Sequence, residues 1–390
     1  MGKIEQTNYD ALYRLLSAWL HGENAGEAPP DWEQLLQAAG VHGLTAAVCM
    51  ALEGTGLMDR CPPDVRKRFE ERKATSVYRT ILMDVEREKI LAFMEERGIW
   101  YLPLKGIVLK ELYPALGARQ MADNDILIDA DAWKTLRDHM RKNGYKWTGS
   151  SVHDAYVKPP VYRFEMHRKP IMDDFQGKEK SAFAAYYGDM KRFMRKDGDD
   201  RFGYHLSDED FYVYLLAHAY KHCIDGGTGI RTLLDIYVYR RAKQGLDEAL
   251  IAAETEKLGI RDFETRCRTL ADKLFGSPSR AGELTEEEAR MLAWMESSGT
   301  YGTVKHQVQL GLREMEKSGK STEGGLRFRY ILRQIFPGLA LYRVEAPFAY
   351  RHRWAIPFYW AYRLFRATFI HGRRNLSALR ALVCEHGEER

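Results

Sequence analysis

The amino-acid sequence predicts an α+β protein in which a compact run of strands and short helices lies between two helical regions. Apolar residues recur at three- and four-residue spacing from Tyr9 to about Arg97 and again from Ser207 onward, as in amphipathic helices. Between these regions, short segments alternate apolar and polar residues with the period of β-strands. We predict an N-terminal helical region at 1–97, an α/β core at 98–200, a helical domain at 201–320 and an Arg/aromatic-rich helical region at 321–390.

The first strand of the core follows the last helix of the N-terminal region. Gly98 ends that helix as a C-cap glycine does, and the apolar run Ile99–Leu104 predicts a strand. Helical character resumes at Gly106. A strand-to-helix junction is therefore predicted at Lys105 and Gly106.

A second strand is predicted at Asp123–Ile128, after Pro114 and Gly117. Asp129 or Asp131 is expected to cap the helix that follows. A short strand is predicted after that helix, around residues 145–147.

The clearest alternation in the chain lies in the sequence VYRFEMH at 161–167. Tyr162, Phe164 and Met166 are predicted to face the core, because successive side chains of a strand point to opposite faces. The other face then carries a set of polar residues that can line a cleft: Arg163, Glu165 and His167.

Bulk composition is that of a globular protein with more than one domain: 390 residues, 45% hydrophobic and 29% charged. The five cysteines are scattered and form no C-x-x-C pair, so neither a disulfide framework nor a zinc site is predicted. The N-terminal residues do not have the pattern of a secretory signal. We therefore expect a cytoplasmic protein.

Positive charge is concentrated near the C-terminus. Gly324–Arg380 contains eleven arginines, no lysine and one acidic residue, a net charge of +10 in a chain whose total is +4. Interleaved with aromatic residues, these arginines can face phosphates, an anionic lipid surface or an acidic partner, or can pack on the protein itself. Pro357, Arg363 and Arg366 interrupt the apolar run, so no transmembrane segment is predicted.

The pair Asp123 and Asp125 is the best candidate for catalysis. Period two places both carboxylates on one face of a strand, where they can hold two Mg²⁺ ions, while Ile126 and Ile128 face the core. The D-x-D spacing recurs at three other places, but only this pair leads into an apolar strand and follows a Lys-Gly junction. Catalytic metal binding is therefore predicted for Asp123 and Asp125.

Three nearby residues are candidate phosphate contacts. Gly106 permits close approach of a phosphate to the backbone, and Lys105 adds a positive charge. Arg119 is either a phosphate clamp or a surface ion-pair partner.

These residues carry a family resemblance. The segment LPLKGIVLKELYPALGARQMADNDILID resembles the defining segment of the uncharacterised nucleotidyltransferase family, within the DNA polymerase β-like superfamily. Asn124 departs from it, since an apolar residue is usual there, and the superfamily's Gly-Ser is here Lys-Gly. The resemblance extends through VYRFEMH, HAYKH and GTGIRTLLD and covers roughly residues 30–240. The matching positions of the first segment are Leu104, Lys105, Gly106, Tyr113, Pro114, Arg119, Asp123 and Asp125.

The resemblance implies a small mixed-sheet nucleotidyltransferase core. It implies Mg²⁺-dependent transfer of a nucleoside monophosphate from an NTP, which we expect to be ATP, with release of pyrophosphate. Glu165 would be the third carboxylate, with Asp173 or Asp174 next in line if it lies too far from the aspartates. The acceptor stays open among a small molecule, a peptide or protein hydroxyl and an RNA end, with the first two favoured.

Four residues of the later helices, together with His167, are candidate contacts to substrate or nucleotide. His218 and His222 lie one helical turn apart and are interpreted as a zinc pair, as acceptor or nucleotide contacts, or as packed residues. Arg231 and Asp235 are also one turn apart and either pair with each other or leave Arg231 to contact the triphosphate. His167 contacts acceptor or phosphate, or supports a ligand.

The alternative to an enzyme is a binding protein. In it, the core is a non-catalytic nucleotide-binding module, and the basic aromatic C-terminal region docks on an anionic partner or membrane. Because all three candidate carboxylates are present, the sequence favours the enzyme.

Overall fold

The structure, a computed structural model, describes residues 4–148, 154–169, 179–199, 201–277, 279, 283–300, 302 and 347–369. The chain divides into two compact units, one drawn from residues 1–221 and 229–300 and the other from 222–228 and 301–390. The four regions expected from the sequence are a different division and stay a prediction.

Several of the helices up to residue 300 begin or end at a residue that satisfies their free backbone groups. Asp31 caps one of them by accepting hydrogen bonds from the N–H groups of Glu33 and Gln34, and Gly22 ends another at a left-handed φ of 68°. In chain order they are α1 (Gln6–His21), α2 (Trp32–Val41), α3 (Thr45–Gly54), α4 (Pro63–Glu96), α5 (Gly106–Leu109), α6 (Trp133–Lys142), α7 (Glu179–Tyr186), α8 (Asp208–Asp225), α9 (Arg231–Ala242), α10 (Glu248–Lys257), α11 (Arg261–Phe275) and α12 (Glu286–Ser298).

Helix packing links the two ends of the first unit. Helix α1 packs against α2, α3 and α11, and α11 packs against α9. The 34-residue helix α4 contacts α2 and α3 and also the strand at 162–167. One long helix therefore connects the helical layer to the sheet.

The described strands form a five-stranded mixed sheet and a separate two-stranded sheet. The order in the larger sheet is β1-β2-β5-β4-β3, and only the β2–β5 pair is parallel. The strands are β1 (Tyr101–Pro103), β2 (Asn124–Ile128), β3 (Lys146–Trp147), β4 (Asp154–Lys158), β5 (Tyr162–His167), β6 (Met194–Lys196) and β7 (Tyr204–Leu206). The predicted α+β fold with a small mixed sheet is confirmed.

One face of the large sheet forms an apolar core with α4 and α6. Ile126, Ile128, Phe164 and Met166 are fully buried there, as their alternation predicts, and Tyr162 packs at the edge. The opposite face carries Asp125, Glu165 and His167 next to buried Leu127. Alternation thus separates a packing face from a face available for chemistry.

The predicted cap of α6 was wrong. The helix begins at Trp133, and neither Asp129 nor Asp131 caps it. Instead the Asp129 carboxylate accepts a hydrogen bond from the N–H of Asp131 and closes a local turn. By contrast, Ser207 does cap α8, because its hydroxyl accepts from the N–H of Asp210.

The described part of the second unit includes two helices, α13 (Pro347–Arg351) and α14 (Ile356–Phe369), separated by a 3₁₀ turn. They belong to the basic segment predicted at Gly324–Arg380, most of which lies outside the described residues. Among the described residues, no helix is long and apolar enough to cross a membrane.

A buried ion pair ties α9 to the loop before β2. Asp235 accepts from Arg119 Nε at 2.8 Å and from Arg119 Nη2 at 2.9 Å, and also from the Tyr113 hydroxyl at 2.7 Å. Arg119 and Asp235 are both buried. A buried charge is stable only while its partner is present, so this bidentate pair fixes the loop on the helix.

Buried His42 lies just after α2, and its ring is fully enclosed. Its Nε2 is 3.3 Å from the Tyr9 hydroxyl. Burial, together with the positive charge of Arg231, lowers the pKa of His42 to about 4. The native state therefore holds this ring neutral.

We predict that removing Asp235 destabilises the protein strongly. Asp235→Ala leaves Arg119 buried without its counter-charge and should lower the free energy of unfolding by about 3–5 kcal/mol. Glu33→Ala is the matched control, because it breaks a bidentate pair with Arg68 that is exposed, and it should cost less than about 1 kcal/mol. Urea unfolding measures both. Equal losses in the two variants would contradict the role of the buried pair.

We also predict that His42 makes stability fall in mild acid. In the unfolded chain, His42 binds a proton below about pH 6.5, whereas in the native protein it does so only near pH 4. Protonation therefore favours the unfolded chain, and the stability present above pH 6.5 is lost as the pH falls from about 6.5 to about 4. The loss should be about 3 kcal/mol. His42→Gln should flatten the pH dependence of urea unfolding, whereas His205→Gln, at an exposed histidine, should not. Parallel pH profiles for wild type and His42→Gln would refute this.

Candidate active site

The candidate site lies on the polar face of the sheet, where β2 and β5 run side by side. Asp125 pairs with Glu165 in the parallel register, and Leu127 pairs with His167. A carboxylate oxygen of Asp125, one of Glu165 and a ring nitrogen of His167 all lie within 4.8 Å of one another. Glu165 therefore lies close to Asp125, and its role as the third carboxylate stays a prediction.

Lys105 enters the site from the junction of β1 and α5. Its backbone has a φ of 50°, the positive value that side-chain-bearing residues rarely adopt. The ammonium donates to Asp125 Oδ1 at 2.8 Å, and the side chain is 16% exposed. The strained turn therefore delivers a positive charge to the central carboxylate.

His167 holds the same carboxylate from the other strand. Its Nε2 is 2.7 Å from Asp125 Oδ1, and the ring is buried. Asp125 Oδ1 thus receives two hydrogen bonds, one from Lys105 and one from His167. The carboxylate is fixed in position before any ligand binds.

The surroundings shift the pKa values of Asp123 and Asp125 in opposite directions. Burial alone would raise the pKa of Asp125, but Lys105 and the hydrogen bond from His167 outweigh it and hold that pKa well below its usual range. Asp123 lies just before β2, and its pKa is raised, first by desolvation and then by the charges of Asp125 and Glu165. The positive charges of Lys105 and Arg163 act in the opposite direction on Asp123 but do not cancel this rise in pKa.

These residues fit a divalent cation. Carboxylate oxygens are the ligands that Mg²⁺ prefers. Burial raises the pKa of Asp123 most, and repulsion by Asp125 and Glu165 adds to it; a bound cation would relieve that repulsion. Asp125 and Glu165 are close enough to share an ion, with His167 beside them. Asp123 lies outside that close group of three, so its place among the metal ligands stays a prediction. Asp173 and Asp174 lie outside the described residues.

Gly106 is required by the side chains packed over it. A Cβ atom there would lie 2.5 Å from Arg119 Nη1 and 2.6 Å from Met121 Sδ, closer than real contacts allow. The glycine therefore lets the Arg119 side chain cross the start of α5 on its way to Asp235. Contact of either residue with phosphate stays a prediction.

The other predicted contacts are dispersed. Arg231 Nη1 donates to the backbone oxygen of Gln120 at 3.4 Å, whereas Asp235 is engaged by Arg119. His218 and His222 are half-buried on α8, and the His218 ring stacks near Tyr214 at 6.5 Å. Among the described residues, neither histidine belongs to a cluster that could hold a metal ion.

Arg163 belongs to the site, although the sequence assigned it no role beyond its place on the polar face of β5. Arg163 donates to Glu165 at 2.8 Å and lies 3.8 Å from Asp123. The alternation of β5, which places Arg163 on the face of Glu165, was the available signal. Asn124 pairs with core-facing Phe164 and so lies buried on the face of the sheet opposite to the site, where it accepts from Arg87 at 3.4 Å, a contact that no local pattern indicates.

Comparison with known proteins places the chain in a family. The family described as uncharacterised nucleotidyltransferase matches residues 28–276, which include every residue of the site described above. No curated protein and no solved structure matches the chain. Because the match covers well over half of the chain, the protein belongs to the uncharacterised nucleotidyltransferase family.

Proposed function

We propose that the protein is a Mg²⁺-dependent nucleotidyltransferase that moves a nucleoside monophosphate from an NTP, specifically ATP, to an acceptor and releases pyrophosphate. The observation that carries the proposal is the pairing of Asp125 with Glu165 on adjacent parallel strands, with Asp123 two residues upstream. Membership of a nucleotidyltransferase family supports the reaction class.

Asp123, Asp125 and Glu165 would hold two Mg²⁺ ions. When bound, such ions neutralise phosphate charge and stabilise the attacking and leaving oxygens of an in-line transfer. Asp123 and Asp125 would each bind both ions. Glu165 would bind the ion on the acceptor side or accept the proton of the attacking group. His167 keeps the Asp125 carboxylate oriented through its 2.7 Å hydrogen bond.

Lys105 and Gly106 are proposed to face the triphosphate, with Arg119 and Arg231 as further contacts. Lys105 is already inside the site, so its ammonium needs little movement to reach a phosphate near Asp125. Arg119 would have to loosen its pair with Asp235 to do the same. Its contribution is therefore proposed to be weaker than that of Lys105.

The acceptor is proposed to be a small molecule or the hydroxyl of a peptide or protein, with an RNA end as the remaining option. Transfer chemistry on this site requires only a nucleophilic oxygen placed in line with the leaving pyrophosphate. His167, His218, His222 and Asp235 are proposed acceptor or nucleotide contacts. The buried pairing of Asp235 with Arg119 supports a structural role for Asp235 instead.

We also propose that the basic C-terminal region binds an anionic partner. Residues 347–369 contain four arginines and no acidic residue. Trp354 and Phe358 are 67% and 70% exposed, and Arg351 and Arg353 are exposed beside them. Exposed aromatic rings among cations are suited to an anionic surface.

We predict that wild-type protein is stabilised only by an NTP together with Mg²⁺, and that Asp125→Asn and Asp123→Asn abolish this effect. A neutral amide replaces a charged metal ligand, so turnover should also fall at least about 100-fold. A thermal-shift screen of four NTPs with and without Mg²⁺, followed by pyrophosphate release, measures both. Asp131→Asn, at an exposed aspartate of another D-x-D pair, is the control. Turnover within about tenfold of wild type in Asp123→Asn and Asp125→Asn would contradict their assignment as catalytic metal ligands.

We predict that the full chain is retained on heparin and on anionic vesicles at low salt and is released as salt rises, because exposed charges are screened. Arg351→Gln/Arg353→Gln should elute at lower salt than wild type. The control variant Arg66→Gln/Arg68→Gln loses an equal amount of positive charge, but from α4. It should elute at higher salt than the Arg351→Gln/Arg353→Gln variant. No retention of wild type on either surface would show that the arginines serve the protein's own packing.

A further inference from the structure

Arg163 contacts two of the three proposed metal-binding carboxylates at once. It stands on the polar face of β5, two residues before Glu165. Its Nη2 donates to Glu165 Oε1 at 2.8 Å, and its Nε lies 3.8 Å from Asp123 Oδ2. The guanidinium therefore occupies the space between these carboxylates, where a cation shared by them would have to bind.

The two cations of the site differ in how freely they can leave it. Lys105 is 16% exposed and is held by a strained turn next to Asp125. Arg163 is 45% exposed and extends from a strand, so its side chain can turn toward solvent without any change in the backbone. Of these two cations, Arg163 is the one that contacts two of the carboxylates and is the more exposed.

A divalent cation and the Arg163 guanidinium cannot both sit against Asp123 and Glu165, because like charges repel strongly in a partly buried site. A displaced guanidinium at this position remains beside any bound triphosphate. Arginine matches phosphate oxygens well, since its planar donors can bind two of them together. Displacement from the acids thus prepares Arg163 to bind nucleotide.

We propose that Arg163 is an exchangeable counter-ion: it neutralises Asp123 and Glu165 in the nucleotide-free protein, and it transfers to the triphosphate when a divalent cation takes its place. The inference rests on the proposed function. It assigns Arg163 a role in nucleotide binding and makes metal and nucleotide binding cooperative, because each favours the same position of one side chain.

Binding measurements separate the two halves of this role. Mn²⁺ binding is followed by electron paramagnetic resonance without nucleotide, and binding of an ATP analogue that cannot be cleaved between its α and β phosphates is followed by calorimetry at saturating Mn²⁺. Arg163→Gln should bind Mn²⁺ about tenfold more tightly and the analogue about tenfold more weakly than wild type. Arg163→Lys, which keeps the charge, should lie between wild type and Arg163→Gln in both measurements.

Arg168→Gln is the matched control, since Arg168 is a half-exposed, ion-paired arginine just beyond the same strand and its partner is Asp154. It should leave both affinities unchanged. Suppose that the wild type binds both Mn²⁺ and the analogue. If Arg163→Gln then changes neither affinity or weakens both, the inferred exchange of Arg163 is wrong, while the proposed function stands. If wild type binds neither, both are wrong. Should Arg163→Gln fail to fold, Arg163→Lys with wild-type affinities overturns the inference.

Discussion

The parallel pairing of β2 with β5 sets Asp125 beside Glu165, and with Asp123 nearby this gathers three carboxylates on one partly buried face. Carboxylates in such a place lose hydration and repel one another, so the arrangement is unstable unless cations surround it. The chain supplies Lys105 on one side and Arg163 on the other. Much of the local structure serves to place these charges.

Lys105 illustrates the cost of that placement. A residue with a side chain at a φ of 50° is destabilised by on the order of 1–3 kcal/mol, and glycine would avoid the strain. Here the charge of Lys105 offsets the strain by neutralising Asp125, and Gly106 takes over the need for space next to Arg119.

A second constraint acts at a distance from the carboxylates. The loop before β2 must hold its shape for Asp123 to reach the site, and the buried pair of Arg119 with Asp235 fixes that loop on α9. The helical layer is therefore part of the mechanical support of the site. This explains how a small sheet, with strands of two to six residues, can hold several buried charges.

Local periodicity was enough to predict much of this protein. A strand has period two whatever packs on it, so Ile126, Phe164 and Met166 could be assigned to the core and Asp125 and Glu165 to the opposite face. The same rule places Arg163 beside Glu165. The predicted cap of α6 was wrong because an aspartate shortly before a helix can either cap it or close a local turn. The position at which the helix begins decides between these two roles.

The pairing of distant residues was decided by the tertiary structure. Arg231 and Asp235 lie one turn apart on α9 and can pair by local geometry, but Asp235 binds Arg119, which is 116 residues away. Likewise, the parallel register of β2 and β5 brings Asp125 to Glu165, and the junction of β1 and α5 brings Lys105 to the same oxygen. Periodicity fixes the direction of a side chain, whereas its partner depends on which elements pack together, and that is a property of the whole fold.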